Sequence, residues 1–424
     1  MTERVRQLAT RDIPQAIRLA DQVFRDQDQS SMGKAFPHLF SPSNIQHCFG
    51  YFTNHKLVSF IGVVPTHIHV GCASLRTVSI GAVCTHSAYR GQGLASQILQ
   101  KVLDYVETLR ASILLVSGWR SLYTHVGCTR FGEVRRFFLN QEDLQSSVSA
   151  LPPSLKSQSF SRDKQTYLTS ARQAQQEVPH HENEKKVRTM QPQDLFTIWH
   201  HYRHRRCAFD LSVQQLQGLL NAASYASCWH LEHHVFVTET AGKITSFVVI
   251  GVPTPNTNTS THGPANAVLI EWGGEATDAP KLFQAFFDAH PNRILECPIP
   301  WYESEWQDIL YALKTNNRIE TNQGTIKIMD VHRFVEDLQP YILSSVKAKG
   351  EGRNCDIRVL DDQLIALSFI ESGKTIHLSR EQLIPFFFHP TGVSADQSLR
   401  FDEKEQLRTI LPVPLPNING LYYV

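Results

Sequence analysis

The residues whose types and spacing speak most directly to chemistry are Arg90-Gly91-Gln92-Gly93-Leu94-Ala95. They follow the largely apolar run Ser79-Ile80-Gly81-Ala82-Val83-Cys84-Thr85 and precede apolar residues at Leu94, Ile98, Val102 and Val106, which recur at helical spacing. The order predicts a strand, a tight turn and an amphipathic helix. The first N–H groups of a helix have no partner within it, and their partial positive charge favours phosphate. Glycine allows the backbone close to a ligand, and Arg90 adds a cation with a fork of donors. The stretch therefore reads as a cradle for a diphosphate. Downstream, Gly118 to Gly132 predicts a short helix ending in a glycine turn, and it carries Tyr123, whose phenol can donate a proton.

The elements that must position these groups alternate in a mixed α/β, or α+β, pattern. Val5 to Leu8 predicts a strand, and Ile13, Ala16, Ile17, Ala20, Val23 and Phe24 mark a helix. Arg25 to Ser43 reads as a helix-loop segment, either a lid over a pocket or a packed surface loop. Extended runs at Cys48 to Thr53, Lys56 to Pro65 and His67 to Val70 predict hairpins leading to the strand at Thr77 to Thr85. A helix follows to Leu109, then a strand at Ala111 to Ser117. The stretch 151–185, rich in Ser, Gln, Pro and charge, reads as a linker. From 186 to 323 the strand-helix order starts again. At the position of the cradle, however, this second unit carries Glu271-Trp272-Gly273-Gly274-Glu275, whose carboxylates would repel a phosphate. Residues 324–424 predict a further α+β unit and end in the Pro-rich stretch Leu411 to Val424.

Composition narrows the function. A chain of 424 residues with 41 Lys and Arg against 40 Asp and Glu has no bulk charge to attract nucleic acid or an anionic membrane. The eight cysteines include no Cys-x-x-Cys pair, which disfavours a disulfide framework or zinc ribbon and fits a reduced, cytoplasmic setting. Met1 to Phe24 lacks the apolar core of a secretion signal, and no later run is long enough to span a bilayer. His200 and His204 share a helix face without a third ligand, so no metal site is expected.

The cradle, matching Arg/Gln-x-x-Gly-x-Gly/Ala from Arg90 to Ala95, resembles the acetyl-CoA motif of the GCN5-related N-acetyltransferases (GNAT). The intact first unit (1–150), the degenerate second (186–323) and the third (324–424) together resemble the enhanced intracellular survival, or Eis-like, family, which carries tandem GNAT units and a sterol-carrier-like C-terminal domain. The resemblance implies acetyl-CoA as co-substrate, held by Val83, Cys84, Thr85, Arg90, Gly91, Gln92, Gly93, Leu94 and Ala95. It implies direct transfer of acetyl to a primary amine of a small molecule or peptide. Tyr123 matches the family's general acid, and the main-chain carboxylate of Val424 would return to the first unit as the base; a frayed terminus is the other reading of the chain end. Asp26 matches an acidic residue that binds substrate ammonium groups in aminoglycoside-acetylating relatives, although Tyr423 stands where those relatives carry a second acidic residue. Phe36, Trp119 and Tyr423 could line a more apolar amine pocket or be core aromatics. The family further implies a homo-oligomer, in many members a hexamer. A CoA- or lipid-like-ligand-binding scaffold without catalysis is the alternative.

Overall fold

The computed structural model describes residues 3–148, 185–254, 266–348, 355–369, 372–408 and 410–424; most of the stretch read as a linker lies outside them. In chain order the strands are β1 (Glu3–Gln7), β2 (Phe49–Thr53), β3 (Lys56–Val70), β4 (Ala73–Thr85), β5 (Ile113–Val116), β6 (Thr129–Arg130), β7 (Glu133–Leu139), β8 (Lys186–Thr189) and β9 (Cys207–Phe209). They continue as β10 (Leu231–Thr240), β11 (Lys243–Pro253), β12 (Ala267–Gly274), β13 (Leu295–Pro300), β14 (Asn316–Thr321), β15 (Thr325–Ile328), β16 (Cys355–Asp361), β17 (Leu364–Phe369) and β18 (Thr375–Ser379). Two large mixed sheets flanked by helices, with a smaller antiparallel sheet, bear out the expected α+β class.

The two large sheets repeat one plan. The first runs β1-β2-β3-β4-β5-β15-β6 and the second, read in the same sense, β8-β10-β11-β12-β13-β7-β14. In each, a parallel pair (β4 with β5, β12 with β13) is followed by a strand taken from elsewhere in the chain. β15 pairs antiparallel with β5, from Thr325↔Val116 to Ile328↔Ile113, and β7 pairs with both β13 and β14. The units thus exchange strands. β5, Ile-Leu-Leu-Val and wholly buried, would otherwise present an open edge, and β15 covers it. Sheet membership therefore crosses the boundaries expected near 150 and 324, because an isolated short strand carries no signal of which sheet it will join.

β3 is one continuous strand across Pro65, where two strands were expected. Proline has no N–H to donate, which a strand tolerates where no neighbour needs one. Along one edge of β3, β2 pairs as far as Ile61 and β9 begins at Ile68, so Pro65 falls in the gap between them.

The helix that follows the cradle, Leu94–Thr108, buries Leu94, Ile98, Leu99, Val102, Leu103 and Val106 against the first sheet. Each such side chain contributes about 1.5–3 kcal/mol of transfer free energy, an upper bound that fixes the helix N-terminus relative to the strands. In the second unit, Ala279–Ala289 buries Leu282, Phe283, Phe286 and Phe287 in the same way. Among the described residues no helix is long and apolar enough to cross a membrane.

Candidate active site

The site is built where β4 and β5 part. They pair from Thr77↔Ile113 to Ile80↔Val116 and then diverge, held at the fork by Ser117 N–H donating to the Ile80 carbonyl at 3.3 Å. On the other side of β4 the register with β3 shifts between Phe60 and Gly62, and Ala82 takes a φ of 49°, a left-handed conformation that costs an L-residue about 1–2 kcal/mol. Bulge and fork together turn Val83, Cys84 and Thr85 towards a cleft of ≈ 550 Å³, which they line with Arg90, Ala95 and Tyr123. Burial pushes the Cys84 thiol up to about 12, so it is protonated and unreactive at neutral pH.

Gly91 (φ 78°) and Gly93 (φ 71°) lie at the mouth of this cleft's helix, with nothing within 4 Å of a would-be Cβ on either. Gly93 is the N-cap, and no side chain caps the helix, so its first N–H groups remain available. Gly91, Gln92 and Gly93 are exposed while Leu94 anchors the turn in the core. Arg90 is exposed, its Nε donating to the Thr85 carbonyl at 3.3 Å. An open glycine turn with free amides and an adjacent guanidinium fits the diphosphate of a CoA thioester.

The end of the sequence lies in the fork itself. Val424 is buried, its carbonyl oxygen accepts from Ser117 Oγ at 2.5 Å, and a Cβ on Gly81 would stand 2.1 Å from its main-chain carbon and oxygen. Glycine at 81 is therefore a condition for this approach. The preceding residues are held one by one. Tyr423 O is 3.0 Å from His38 Nε2, the Tyr423 ring packs edge-on to Tyr225 with centroids 5.5 Å apart, and Tyr422 lies 4.4 Å from Phe209. Because a carbonyl only accepts, Nε2 of His38 carries the proton. Burial lowers the His38 pKa to about 4, leaving a neutral ring whose Nδ1 has no partner.

That shift has a testable consequence. A histidine whose folded pKa falls from 6.5 to about 4 contributes about 3 kcal/mol that is present above pH 6.5 and lost as the pH falls through 4. Melting temperature should therefore drop between pH 6.5 and 4, and His38→Gln, which retains a donor for Tyr423, should make the decline shallower. An unchanged slope in the variant would refute this role for His38.

The expected site residues divide into two groups. Tyr123 is buried at the cofactor cleft in the short helix Ser121–Thr124, and its phenol is pushed up to about 12 by burial. Trp119 and Tyr423 line a second cleft of ≈ 730 Å³, which shares Arg120 and Ser121 with the first. Phe36 is buried 6.2 Å behind the Tyr423 ring, supporting it without lining either cleft. Asp26 also lines neither: it is exposed, paired with His230 at 2.8 Å, and accepts from the N–H groups of Asp28 and Gln29. Ser117, Arg120, Tyr225, Trp229 and His38 were not singled out from the sequence. The first two directly follow a readable strand, whereas Tyr225 and Trp229 come from the other unit across the interface and carried no signal.

In the second unit the corresponding fork is filled. Asp278 accepts from Thr245 Oγ1, Ser246 Oγ and Lys185 Nζ at the start of the helix, so a carboxylate stands where a phosphate would dock. Arg205 forms ion pairs with Glu271 and Glu303, and the Leu421 N–H donates to Glu271 at 3.4 Å. The tail from Leu421 to Val424 thus spans from the second fork to the first. Arg205→Ala would leave the buried Glu271 and the partly buried Glu303 without their shared cation and is expected to cost about 3–5 kcal/mol, read as a fall in melting temperature. No loss in the variant would show the ion-pair group to be dispensable. Among the described residues no group of three or more His, Cys, Asp or Glu could hold a metal ion.

Residues 4–130 match the family model for the acetyltransferase (GNAT) domain. No curated protein matches the chain by sequence. Among solved structures, a conserved protein of unknown function from Enterococcus faecalis V583 superposes with a TM-score of 0.58 at 13% identity, over 89% of this chain and 86% of that one. A GCN5-related N-acetyltransferase from Kribbella flavida gives 0.56 at 11% identity over 98% of both chains. Eis1 from Mycobacterium abscessus gives 0.50 at 10% identity over 89% of this chain and 85% of that one. At such identities these likenesses speak to fold alone: the chain is similar to GNAT-type proteins along nearly its full length, and its N-terminal part matches the acetyltransferase domain itself.

Proposed function

We propose that the protein is an acyltransferase of the GNAT type that moves an acetyl group from acetyl-CoA directly to a primary amine, with its chemistry in the N-terminal unit. The observation that carries the reading is convergence: the open glycine cradle, the buried Tyr123 and the Val424 carboxyl lie around one strand fork. Backbone of the bulge at Val83 to Thr85 would pair with the pantetheine arm. The donor supplies an activated thioester carbonyl. Nothing in the fork needs to form a covalent link to the acyl group, and the protonated Cys84 is unsuited to one.

An α-carboxylate, whose reference pKa is about 3.5, is far too weak a base to deprotonate an ammonium of about 10 outright. The role of the Val424 carboxylate is to hydrogen-bond the amine and take its proton as nitrogen becomes acidic on bonding to the carbonyl. Tyr123 works at the other end. Its phenol, at about 12, is a weaker acid than a thiol of about 8.5, so it stabilises the departing thiolate by donating a hydrogen bond. Cytoplasmic location, a homohexamer and a sterol-carrier-like role for the C-terminal unit remain part of the proposal by family resemblance.

The test is release of CoA thiol from acetyl-CoA by the purified full chain across a panel of primary amines, with donor binding measured in parallel. Thiol release that depends on the amine supports transfer. Absence of acetyl-CoA binding sinks the reading, and binding without transfer to any amine would favour the non-catalytic scaffold.

A further inference from the structure

The acceptor cleft has an unusual balance of charge for a site meant to receive cations. Trp119, Tyr225, Trp229 and Tyr423 supply aromatic surface, and Trp119 and Trp229 are 58% and 38% exposed. The charged side chains in the lining are Arg120 and Arg136, and no Asp or Glu side chain is among the lining residues. Arg136 is neutralised by Glu296 at 2.8 Å and Glu320 at 3.1 Å, and these carboxylates are further engaged by Asn266 and Arg318. Arg120 is exposed, and among the described residues no carboxylate pairs with it. Outside the lining, Arg130 lies over the Trp119 ring at 4.2 Å, adding positive charge at the same wall. Asp26, the carboxylate expected to greet ammonium groups, faces His230.

No carboxylate lines the cleft: that of Val424 is buried behind the lining residue Ser117, those of Glu296 and Glu320 are paired, and a polycation entering here would meet the field of Arg120 and Arg130. A single ammonium can be held by the aromatic faces, with the terminal carboxylate just behind Ser117, which lines the cleft and donates to it. What the cleft leaves unmatched is the guanidinium of Arg120, which is shaped to receive a planar anion by two parallel hydrogen bonds. We propose that the acceptor is a primary amine on an aromatic frame that also carries a carboxylate, with Arg120 as the residue that reads the carboxylate. This rests on the acyl-transfer reading above. It makes the site a poor one for polyamines and aminoglycosides, and it assigns Arg120, at the junction of the two clefts, to the acceptor.

Binding tests the inference apart from turnover. With CoA present, calorimetry on the full chain compares 4-(aminomethyl)benzoate and L-phenylalanine with benzylamine and spermidine. At least one acidic aromatic amine is expected to bind about tenfold more tightly than benzylamine, as a charge-assisted hydrogen-bonded pair predicts, and spermidine most weakly. Arg120→Gln should erase the tenfold advantage of the acidic amines over benzylamine, and because Arg120 also borders the cofactor cleft the comparison is made at saturating CoA. Tighter binding of spermidine, failure of both acidic amines to bind, or an equal loss for benzylamine and the acidic amines in the variant overturns the proposal. Should the acidic amines bind in the expected order while none is acetylated, the transfer reading fails and the acceptor-site inference stands.

Discussion

Extending the chain past Val424 by a short flexible peptide is expected to lower kcat/KM by about 10²–10⁴-fold, the usual range for removing a positioned acid or base, while donor binding stays near its original value. The effect follows from where the residue sits. Val424 is buried in the fork of β4 and β5, against Gly81 and under Ser117, so added residues must either displace it or run out through the cofactor or acceptor cleft. Displacement also abolishes the negative charge at the fork. Gly81→Ala provides an independent test inside the chain, since its Cβ would overlap the main chain of Val424. Both variants should lose activity together, with the melting temperature reporting whether the fold survives. Unchanged kinetics in the extended chain would remove Val424 from the mechanism.

The rate should also respond to pH in a way that separates the groups. The attacking amine must be neutral, so kcat/KM is expected to climb with pH towards the amine's own pKa. Burial holds Tyr123 protonated to about 12, which means that the phenol contributes no falling limb below about pH 10. A decline there that disappears in Tyr123→Phe would contradict this protonation state.

Much of the first unit was legible because its signals are local. The cradle combines a strand, two glycines, an arginine and a helical apolar period within one continuous stretch, and the structure gives Gly91 and Gly93 positive φ in open surroundings. Filling of the second fork was legible in sign: acidic residues marked it as hostile to phosphate, and Asp278 and Glu271 occupy it. The acceptor side was harder to read. Tyr225 and Trp229 reach the cleft from the second unit, and Arg120's freedom depends on the absence of a partner in space. Asp26 illustrates the converse, since its position in sequence suggested a pocket residue while a histidine about 200 positions away claims its oxygen, |i−j| = 204. The exchange of β7 and β15 was invisible for the same reason: strand pairing between distant segments is decided by which open edge remains after each sheet has formed.

Tyr123→Phe is expected to reduce kcat by about 10²-fold or more with little change in donor affinity, as loss of one aimed donor at a developing charge typically does. The ring is buried within the short helix Ser121–Thr124, and phenylalanine keeps its volume, so packing should be nearly conserved. The hydroxyl matters only when the sulfur acquires charge, which places the loss in kcat more than in KM. A donor with a better leaving group distinguishes this role from a packing defect. An acetyl thioester of an acidic aromatic thiol needs less help at sulfur, and with it the variant should approach the activity of the unsubstituted protein. If the deficit were equal for both donors, Tyr123 would be acting through the architecture of the fork. If the variant were fully active with acetyl-CoA, departure of the thiolate would need no phenol, and solvent reaching the cleft beside Arg120 would be the remaining source of its hydrogen bond.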